Sequence, residues 1–228
     1  MMIFQDPVSV FSPLHTVGEH LMDLVRNLRG FRDKEYAAKY ILDVFKKLRL
    51  PDPDRVFRSY PHELSGGMLQ RIALTAVLIA KPRILLADEP TTMLDATIQV
   101  QILRLLKELV QNENLALVMV THNFGVAKEI CKRVIVMYAG VVVEEGETED
   151  IIENPLHPYT QGLIRAIPRT THRVSRINHI PGEPPDPRRE FEGCPFAERC
   201  LYVNEVCKNW RRLVNVGSRR VRCRLYGE

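Results

Sequence analysis

Reactive side chains follow two short apolar segments of the chain. Asp88 and Glu89 come directly after "RILLA", and His122 comes after "LALVMVT". Solid apolar runs of this length are typical of strands buried on both faces of a parallel sheet, and ligands bind where such strands end. An acidic pair there suits hydrolysis of a metal-bound nucleotide, because one carboxylate can hold Mg²⁺ while its neighbour orients or deprotonates water. Solvated acids and a structural histidine would produce the same pattern.

A serine and two adjacent glycines, Ser65, Gly66 and Gly67, precede an apolar segment that predicts a helix from about Gly67 to Ala80. Glycine weakens a helix, so this placement needs a reason. In a structural interpretation, the serine caps the helix and the glycines relieve crowding at the turn. In a chemical interpretation, the glycines leave the N–H groups and the positive dipole end open to an anion such as phosphate. Taken alone, these residues leave both interpretations open.

The remaining periodicity places these residues on an α/β scaffold. Two helical patterns lie within 16–48, and another over 95–111 separates the two apolar strands. A strand, a helix and a strand in this order predict a parallel crossover unit. A hairpin with its turn at Ala139 and Gly140 is expected to cap the sheet edge. Past residue 153 the chain becomes rich first in proline and then in basic residues and cysteine.

Composition restricts the class of protein. With 228 residues, 45% of them hydrophobic and 26% charged, the chain predicts one large globular domain or a domain with an appendage. It has neither the apolar run of about 18 residues that spans a membrane nor a basic start typical of a secretory signal, so we expect a cytosolic protein. The net charge of +4 does not indicate a polyanion partner, although residues 165–228 hold 14 Lys and Arg against 7 Asp and Glu.

Taken in order, these residues resemble the ATP-binding cassette (ABC) ATPases over nearly the whole chain. "LSGGMLQ" is similar to the family's signature motif, "ILLADEP" to its Walker B strand with the catalytic glutamate, and "MLDA" to its D-loop. His122 and Gln5 are similar in position to the family's switch histidine and Q-loop glutamine. "PLHPYTQGL", and "IPGEPPD" followed by spaced cysteines, are similar to the oligopeptide/dipeptide importer branch, which also includes nickel uptake subunits.

The resemblance implies an α/β fold with a P-loop NTPase-type parallel sheet core, an α-helical subdomain and a small C-terminal extension that carries cysteines. It implies a partial nucleotide-binding domain over 1–153, with the helical subdomain at 6–63 and the signature, Walker B and switch core at 64–153. An extension of the oligopeptide-transporter type is then expected over 154–228.

The resemblance also implies that two such subunits sandwich two ATP molecules. Asp88 would hold Mg²⁺, and Glu89 would act as the general base or the water-orienting residue. His122 would hold the γ-phosphate and the water, while Gln5 would sense Mg²⁺ and that water. The residues expected to face the partner's ATP or to link the two sites are Ser65, Gly66, Gly67, Gln70 and Asp95.

The implied function is that of the ATP-hydrolysing subunit of an importer that drives uptake of di- or oligopeptides, located peripherally at the cytoplasmic face of the membrane. Its implied partners are a homologous ATPase subunit, in a homo- or heterodimer, two transmembrane permease subunits that dock beside the helical subdomain, and indirectly an extracytoplasmic peptide-binding protein. A DNA-associated ABC ATPase is a weaker alternative, because the chain has no sustained heptads and its basic tail lacks interleaved aromatic residues. No nucleic acid partner is therefore expected.

The phosphate-binding loop of the family, G-x-x-x-x-G-K-[ST], does not occur in the chain. One expectation is that the chain is a fragment of a longer protein whose missing part carries this loop. The alternative is a degenerate, non-catalytic subunit whose signature completes the ATP site of an intact partner. In either case the chain by itself is not expected to hydrolyse ATP.

Four of the five cysteines, Cys194, Cys200, Cys207 and Cys223, lie in the basic tail with the spacing C-x5-C-x6-C-x15-C. The spacing lacks the paired C-x2-C knuckles of structural zinc sites, while four thiolates with no nearby histidine suit either iron–sulfur or zinc chemistry. Some members of the resembled branch hold a [4Fe–4S] cluster there, so the resemblance implies such a cluster, with zinc or no metal as alternatives. We expect the cluster to stabilise the fold of a tail that has too few apolar residues for a core of its own. We also expect neighbouring arginines to lower the pKa values of the thiols.

Overall fold

The computed structural model describes residues 1–92, 94–167, 179–186, 188 and 190–227. The chain divides into two compact units, Met1–His122 and Asn123–Glu228. Parts of the predicted proline-rich linker and basic tail, at 168–178, 187 and 189, lie outside the described residues. The domain boundary near residue 153 stays a prediction.

The first unit contains a parallel sheet of three strands in the order β1-β2-β3, with β1 at Met2–Ile3, β2 at Ile84–Asp88 and β3 at Ala116–Val120. The two strands predicted around "ILLAD" and "ALVMV" are confirmed, and α5 connects them as expected. The helices of this unit are α1 (Val17–Arg29), α2 (Lys34–Lys47), α3 (Pro53–Arg58), α4 (Gly66–Ala80) and α5 (Ala96–Asn112).

Local signals explain where the helices of the first unit begin. Thr16 and Glu19 form a capping box at the start of α1, in which the Thr16 side chain accepts from the Glu19 N–H and the Glu19 carboxylate accepts from the Thr16 N–H. Asp33 caps α2 in the same way through its carboxylate. The apolar faces of α1, α2 and α4 then meet in a buried core that includes Leu21, Ile41, Phe45, Leu69 and Ile72.

One face of the parallel sheet is exposed, so the prediction that its strands are buried on both faces is wrong. In β2, Leu85 is 0% exposed while Leu86 is 42% exposed. In β3, Val118 and Val120 are 56% and 57% exposed. Successive strand residues point to opposite faces, so the exposed residues of β2 and β3 lie on one face of the sheet.

The second unit holds an antiparallel sheet of four strands in the order β4-β5-β7-β6, with β4 at Arg133–Tyr138, β5 at Val141–Glu147, β6 at Val214–Val216 and β7 at Arg219–Val221. The predicted hairpin of β4 and β5 is confirmed, with Ala139 and Gly140 both at positive φ in the turn. The hairpin strands do not pair with the parallel sheet as expected; they belong to this separate sheet, in which β5 also pairs with β7 from the tail. The helices of this unit are α6 (Phe124–Ile130), α7 (Thr148–Glu153) and α8 (Pro158–Ala166).

The cysteine-bearing tail shares a core with the hairpin, which corrects the expectation that it lacks one. Phe196 is 3% exposed and packs edge-on against the Tyr138 ring, with ring centroids 5.3 Å apart. Val136, Val143 and Ile151 complete this buried cluster. None of the helices in the described ranges is both long enough and apolar enough to cross a membrane.

Candidate functional site

The Glu89 carboxylate lies at the centre of a group of polar side chains at the end of β2. Gln5 Nε2 donates to Glu89 Oε2 at 3.2 Å, and His122 Nδ1 lies 3.0 Å from Glu89 Oε1. The fold therefore brings together three residues that lie 84 and 33 positions apart in sequence. Thr92, which sequence reasoning missed, donates its hydroxyl to Glu89 Oε2 at 2.7 Å. Its only signal in the sequence is its place three residues after the glutamate.

The backbone of Glu89 adopts a conformation that is unusual for a residue other than glycine. Its φ is 41°, in the left-handed region, and its N–H donates to the Val120 carbonyl at 3.0 Å. This bond continues the pairing of β2 and β3 one residue beyond the strand. A strained backbone of this kind is found where a side chain must be aimed, and here it directs the carboxylate toward His122 and Gln5.

Hydrogen bonds lower the pKa of Glu89, first from the His122 ring and then from the Thr92 hydroxyl. The carboxylate is therefore ionised at neutral pH, and a carboxylate can only accept. It follows that His122 Nδ1 carries the proton in this contact. The His122 side chain is 71% exposed and that of Glu89 24% exposed, so a ligand can reach both.

Asp88 ends β2, where it pairs with Val120 in the register of the sheet and is half-buried. No three His, Cys, Asp or Glu side chains of the described residues are arranged to hold one metal ion. Mg²⁺ at this place would need oxygen ligands besides the protein. Nucleotide phosphates and water are its usual ligands in such sites, so a single carboxylate fits.

The start of α4 supports the structural interpretation for Ser65 and Gly67. Ser65 is the N-cap, and its Oγ accepts from the Met68 N–H at 3.4 Å. A Cβ on Gly67 would lie 2.6 Å from Ile98 Cγ2, so packing against α5 requires glycine there. A Cβ on Gly66 would meet Leu94 Cδ2 at 3.5 Å, an ordinary contact. Packing therefore leaves Gly66 unexplained, and the chemical interpretation remains for that position.

Two further residues of the predicted set have clear positions. Asp95 is the N-cap of α5 and accepts from the Thr97 and Ile98 N–H groups at 3.1 and 3.0 Å. Gln70 is 2% exposed, and its Nε2 has no hydrogen-bond partner in the described part of the chain. A role for either residue at a nucleotide stays a prediction.

A second candidate site lies in the second unit, where all four tail cysteines line one pocket as free thiols. Contacts between backbone segments hold two of these cysteines, Cys194 and Cys207, close together. The Cys194 N–H donates to the Cys207 carbonyl at 2.9 Å, and a Cβ on the preceding Gly193 would collide with that carbonyl. Only glycine therefore allows the two cysteine loops to come this close.

A histidine also lines the cysteine pocket, which corrects the expectation that none is near. His157 Nε2 lies 4.0 Å from Cys194 Sγ, and the ring is 1% exposed. Its Nδ1 accepts from the Tyr159 N–H at 3.1 Å. Burial lowers the pKa of His157 to about 4, so the ring is neutral at pH 7. The residue belongs to "PLHPYTQGL", which indicated the branch of the family but not this contact.

Three thiols of the pocket, Cys194, Cys200 and Cys223, have raised pKa values, contrary to the expectation that arginines lower them. Burial raises the pKa of Cys194 and Cys200, and that of Cys223 to about 11. Two of the neighbouring arginines bond other groups: Arg199 donates to the Tyr138 hydroxyl at 3.1 Å, and Arg222 donates to the Val142 carbonyl at 3.1 Å. Arg224 lines the pocket. Desolvation therefore outweighs the basic sequence.

Two family profiles match the chain. The first is described as "ABC transporter" and covers residues 1–92. The second is described as "Oligopeptide/dipeptide transporter, C-terminal region" and covers residues 143–207. The first range holds the signature residues and Glu89, and the second holds His157 and three of the four pocket cysteines.

Relatives with curated names agree with these profiles. The dipeptide transport ATP-binding protein DppD of Haemophilus influenzae is 41% identical over 97% of this chain and 67% of its own length. The oligopeptide transport ATP-binding protein OppD of Salmonella typhimurium is 42% identical over 91% of this chain and 62% of its own length. The chain thus spans about two thirds of the length of these relatives.

A solved structure shares the fold. The bacterial ABC transporter cassette MJ0796, described as dimeric, is 33% identical with a TM-score of 0.56, over 64% of this chain and 62% of that one. The parallel sheet with its helices is therefore an ABC cassette fold, as the sequence predicted. This chain belongs to the ABC transporter ATPases, in the oligopeptide/dipeptide branch.

Proposed function

We propose that this chain supplies ATP-binding and ATP-hydrolysing residues to an ABC importer that takes up di- or oligopeptides. The observation that carries the proposal is the contact of Glu89 with His122, Gln5 and Thr92 at the end of β2. An ionised carboxylate beside a protonated imidazole nitrogen can orient a water molecule and accept its proton. The names of DppD and OppD support dipeptides or oligopeptides as the solute.

Each residue of this group has a distinct task in the proposal. Glu89 orients or deprotonates the attacking water, and His122 holds that water and the terminal phosphate. Gln5 monitors the group through its hydrogen bond to Glu89. Asp88 contributes one oxygen ligand to Mg²⁺. Bound Mg-ATP supplies the phosphoanhydride bond and the metal charge that neutralises its phosphates.

The proposal assigns a second group to the ATP held by a partner subunit. The N–H groups at the start of α4 offer an anion site, and Gly66 supports this because packing does not require glycine there. Asp95, which caps the neighbouring helix α5, lies beside this helix start because Gly67 contacts Ile98. The residues in this group are Ser65, Gly66, Gly67, Gln70 and Asp95.

The partners in this proposal are a second cassette subunit, identical or homologous, two membrane-spanning permease subunits and indirectly an extracytoplasmic peptide-binding protein. The dimeric state of the related cassette MJ0796 supports the first of these. The chain would then lie peripherally at the cytoplasmic face of the membrane, with no nucleic acid partner.

For the cysteine pocket we propose a [4Fe–4S] cluster held by Cys194, Cys200, Cys207 and Cys223. Four free thiols around one pocket fit the donor set of such a cluster. No three side chains of the described residues are arranged to hold a single metal ion. A cluster binds each thiolate at a separate iron, so its ligands lie farther apart than those of one zinc ion. Zinc is the alternative that the same four thiols fit.

Nucleotide-dependent association tests the central proposal. The chain is mixed with an intact cassette subunit of the same branch, and complex formation is measured by analytical ultracentrifugation with and without Mg-ATP. We expect ATP to drive association that depends on Ser65 and Gly66. An equal amount of complex without nucleotide, or none in either case, would contradict it. Turnover at one site per complex would favour the half-site alternative.

A further inference from the structure

The indole of Trp210 is buried against the cysteine pocket with its polar atom unused. Trp210 is 7% exposed and lines the pocket together with the four cysteines. Its Nε1 is buried and has no hydrogen-bond partner among the described residues. The indole N–H can only donate, and a buried donor without an acceptor is unfavourable. A residue that lines the pocket therefore carries a buried donor without an acceptor.

The Trp210 ring is held in place on several sides. The Arg224 guanidinium carbon lies 5.6 Å from the ring centroid, within range of a cation–π contact. The Trp210 N–H donates to the Cys207 carbonyl at 3.4 Å, which ties its backbone to a cysteine of the pocket. The indole Nε1 is buried between these contacts and is not exposed to solvent.

A second N–H in the pocket belongs to His157. Since Nδ1 accepts from the Tyr159 N–H, the proton of the neutral ring is on Nε2, which lies 4.0 Å from Cys194 Sγ and also bonds the Arg222 main chain. The His157 backbone is anchored by Glu144, whose carboxylate accepts its N–H at 2.9 Å. The His157 N–H thus has an acceptor in the main chain, whereas the Trp210 N–H has none among the described residues.

We propose that Trp210 Nε1–H donates a hydrogen bond to a sulfur of the group that the four thiolates hold. The inference rests on the cysteine site proposed above. A neutral thiol is a weak acceptor, whereas a thiolate or a cluster sulfide is negatively charged and accepts well. Loading the pocket therefore supplies the acceptor that Trp210 lacks. Hydrogen bonds to sulfur stabilise the more negative, reduced state of a cluster and so raise its reduction potential.

The test compares Trp210→Phe with the unchanged full chain after anaerobic reconstitution with ferrous iron and sulfide. Phenylalanine keeps an aromatic ring and removes the N–H. We expect a more negative reduction potential and about 10-fold faster loss of iron to a chelator, the usual scale for loss of a supporting hydrogen bond. Tyr159→Phe is the control, because it also loses one polar atom from the aromatic core beside Phe196 but lies outside the pocket lining. It should leave both values unchanged.

A second measurement avoids substitution. Trp210 is the only tryptophan of the chain, so its indole N–H gives a single resonance after nitrogen-15 labelling. Loading with zinc or cadmium, as diamagnetic thiolate-bound ions, should move this resonance and slow its exchange with solvent. Unchanged exchange on loading, or equal iron loss from Trp210→Phe and the unchanged chain, overturns the inference.

The cysteine site itself can fail separately. If the unchanged chain binds neither iron with sulfide nor zinc nor cadmium, the inference is wrong while ATP-dependent association still stands. If only zinc is bound, its release rate from Trp210→Phe replaces iron loss as the measurement, with the same expected direction.

Discussion

Glu89 and His122 meet at the ends of adjacent parallel strands, with Glu89 Oε1 3.0 Å from His122 Nδ1. β2 and β3 pair in register from Ile84 with Ala116 to Asp88 with Val120, so each residue lies just beyond its strand at the same edge. The contact lowers the pKa of Glu89 and fixes the proton of His122 on Nδ1. The parallel register of β2 and β3 thus places the Glu89 carboxylate against His122, and this contact orients the carboxylate.

Glu89→Gln should abolish ATP turnover without abolishing closure of the ATP-bound dimer. An amide keeps the shape of the side chain and loses the ability to accept a proton. The substitution is made in a chimera that joins to this chain the part of DppD that this chain does not cover, and phosphate release and dimer formation are measured. Glu63→Gln, on a carboxylate that accepts the Tyr60 N–H away from this group, is the control. Near-normal turnover in Glu89→Gln would remove Glu89 from its proposed role.

The two glycines of α4 should respond in opposite ways to alanine. Gly67→Ala places a Cβ 2.6 Å from Ile98 Cγ2, so we expect a loss of about 1–3 kcal/mol in the free energy of unfolding. Gly66→Ala meets only an ordinary contact and should be neutral or stabilising by up to about 1 kcal/mol, because alanine is the better helix former. Urea unfolding measures both.

The same two variants, Gly66→Ala and Gly67→Ala, distinguish an effect on the free energy of unfolding from an effect on ATP-dependent association. Gly66→Ala should weaken ATP-dependent association with an intact cassette although the chain is no less stable. Ile98→Ala should restore stability to Gly67→Ala, since it removes the clashing methyl group. If Gly66→Ala associates normally, the chemical interpretation of that glycine is wrong.

Ser65→Ala and Thr16→Ala each remove one helix cap and should each cost about 1 kcal/mol of stability. Only Ser65→Ala is expected to reduce ATP-dependent association, because Thr16 lies at the start of α1. Urea unfolding checks the matched loss, and ultracentrifugation checks the difference. Equal association of the two variants would show that Ser65 is only a cap.

The buried Glu144 should be essential to the second unit. It is 0% exposed, and its two oxygens accept from the Leu156 and His157 N–H groups at 2.8 and 2.9 Å. Glu144→Gln turns one acceptor into a donor, so we expect the free energy of unfolding to fall by about 1.5–3 kcal/mol. Urea unfolding, monitored by the fluorescence of Trp210, measures this loss. Glu149→Gln, at an exposed position of α7, should change stability by less than about 0.5 kcal/mol.

Cys131 should react slowly with thiol reagents at neutral pH. Burial raises its pKa, and the thiolate is the reactive form, so the folded chain holds less thiolate than a free cysteine at every pH below that pKa. Labelling should accelerate as pH rises, with a midpoint above that of the same peptide in denaturant. Mass spectrometry of the peptide that contains Cys131 measures both, and equal rates would contradict the expectation.

The sequence alone determined most elements of the first unit and the family of the chain. Apolar runs predicted β2 and β3, helical spacing predicted the helices α1, α2, α4 and α5, and the hairpin turn was placed correctly. These features depend on local backbone preferences and on side-chain periodicity, which neighbouring residues decide. The order of Gln5, Ser65, Glu89 and His122 was enough to indicate the family.

Tertiary structure decided the rest, because it depends on contacts between distant residues. Pairing of β5 with β7, about 75 positions apart, moved the hairpin into a separate sheet. Packing of α4 on α5 showed that Gly67 is required for space while Gly66 is not. Burial raised the pKa values of Cys194, Cys200 and Cys223 despite the basic sequence around them, and the fold placed His157 and Trp210 in the lining of the cysteine pocket. Desolvation and long-range approach are properties of the folded chain, and local sequence patterns do not contain them.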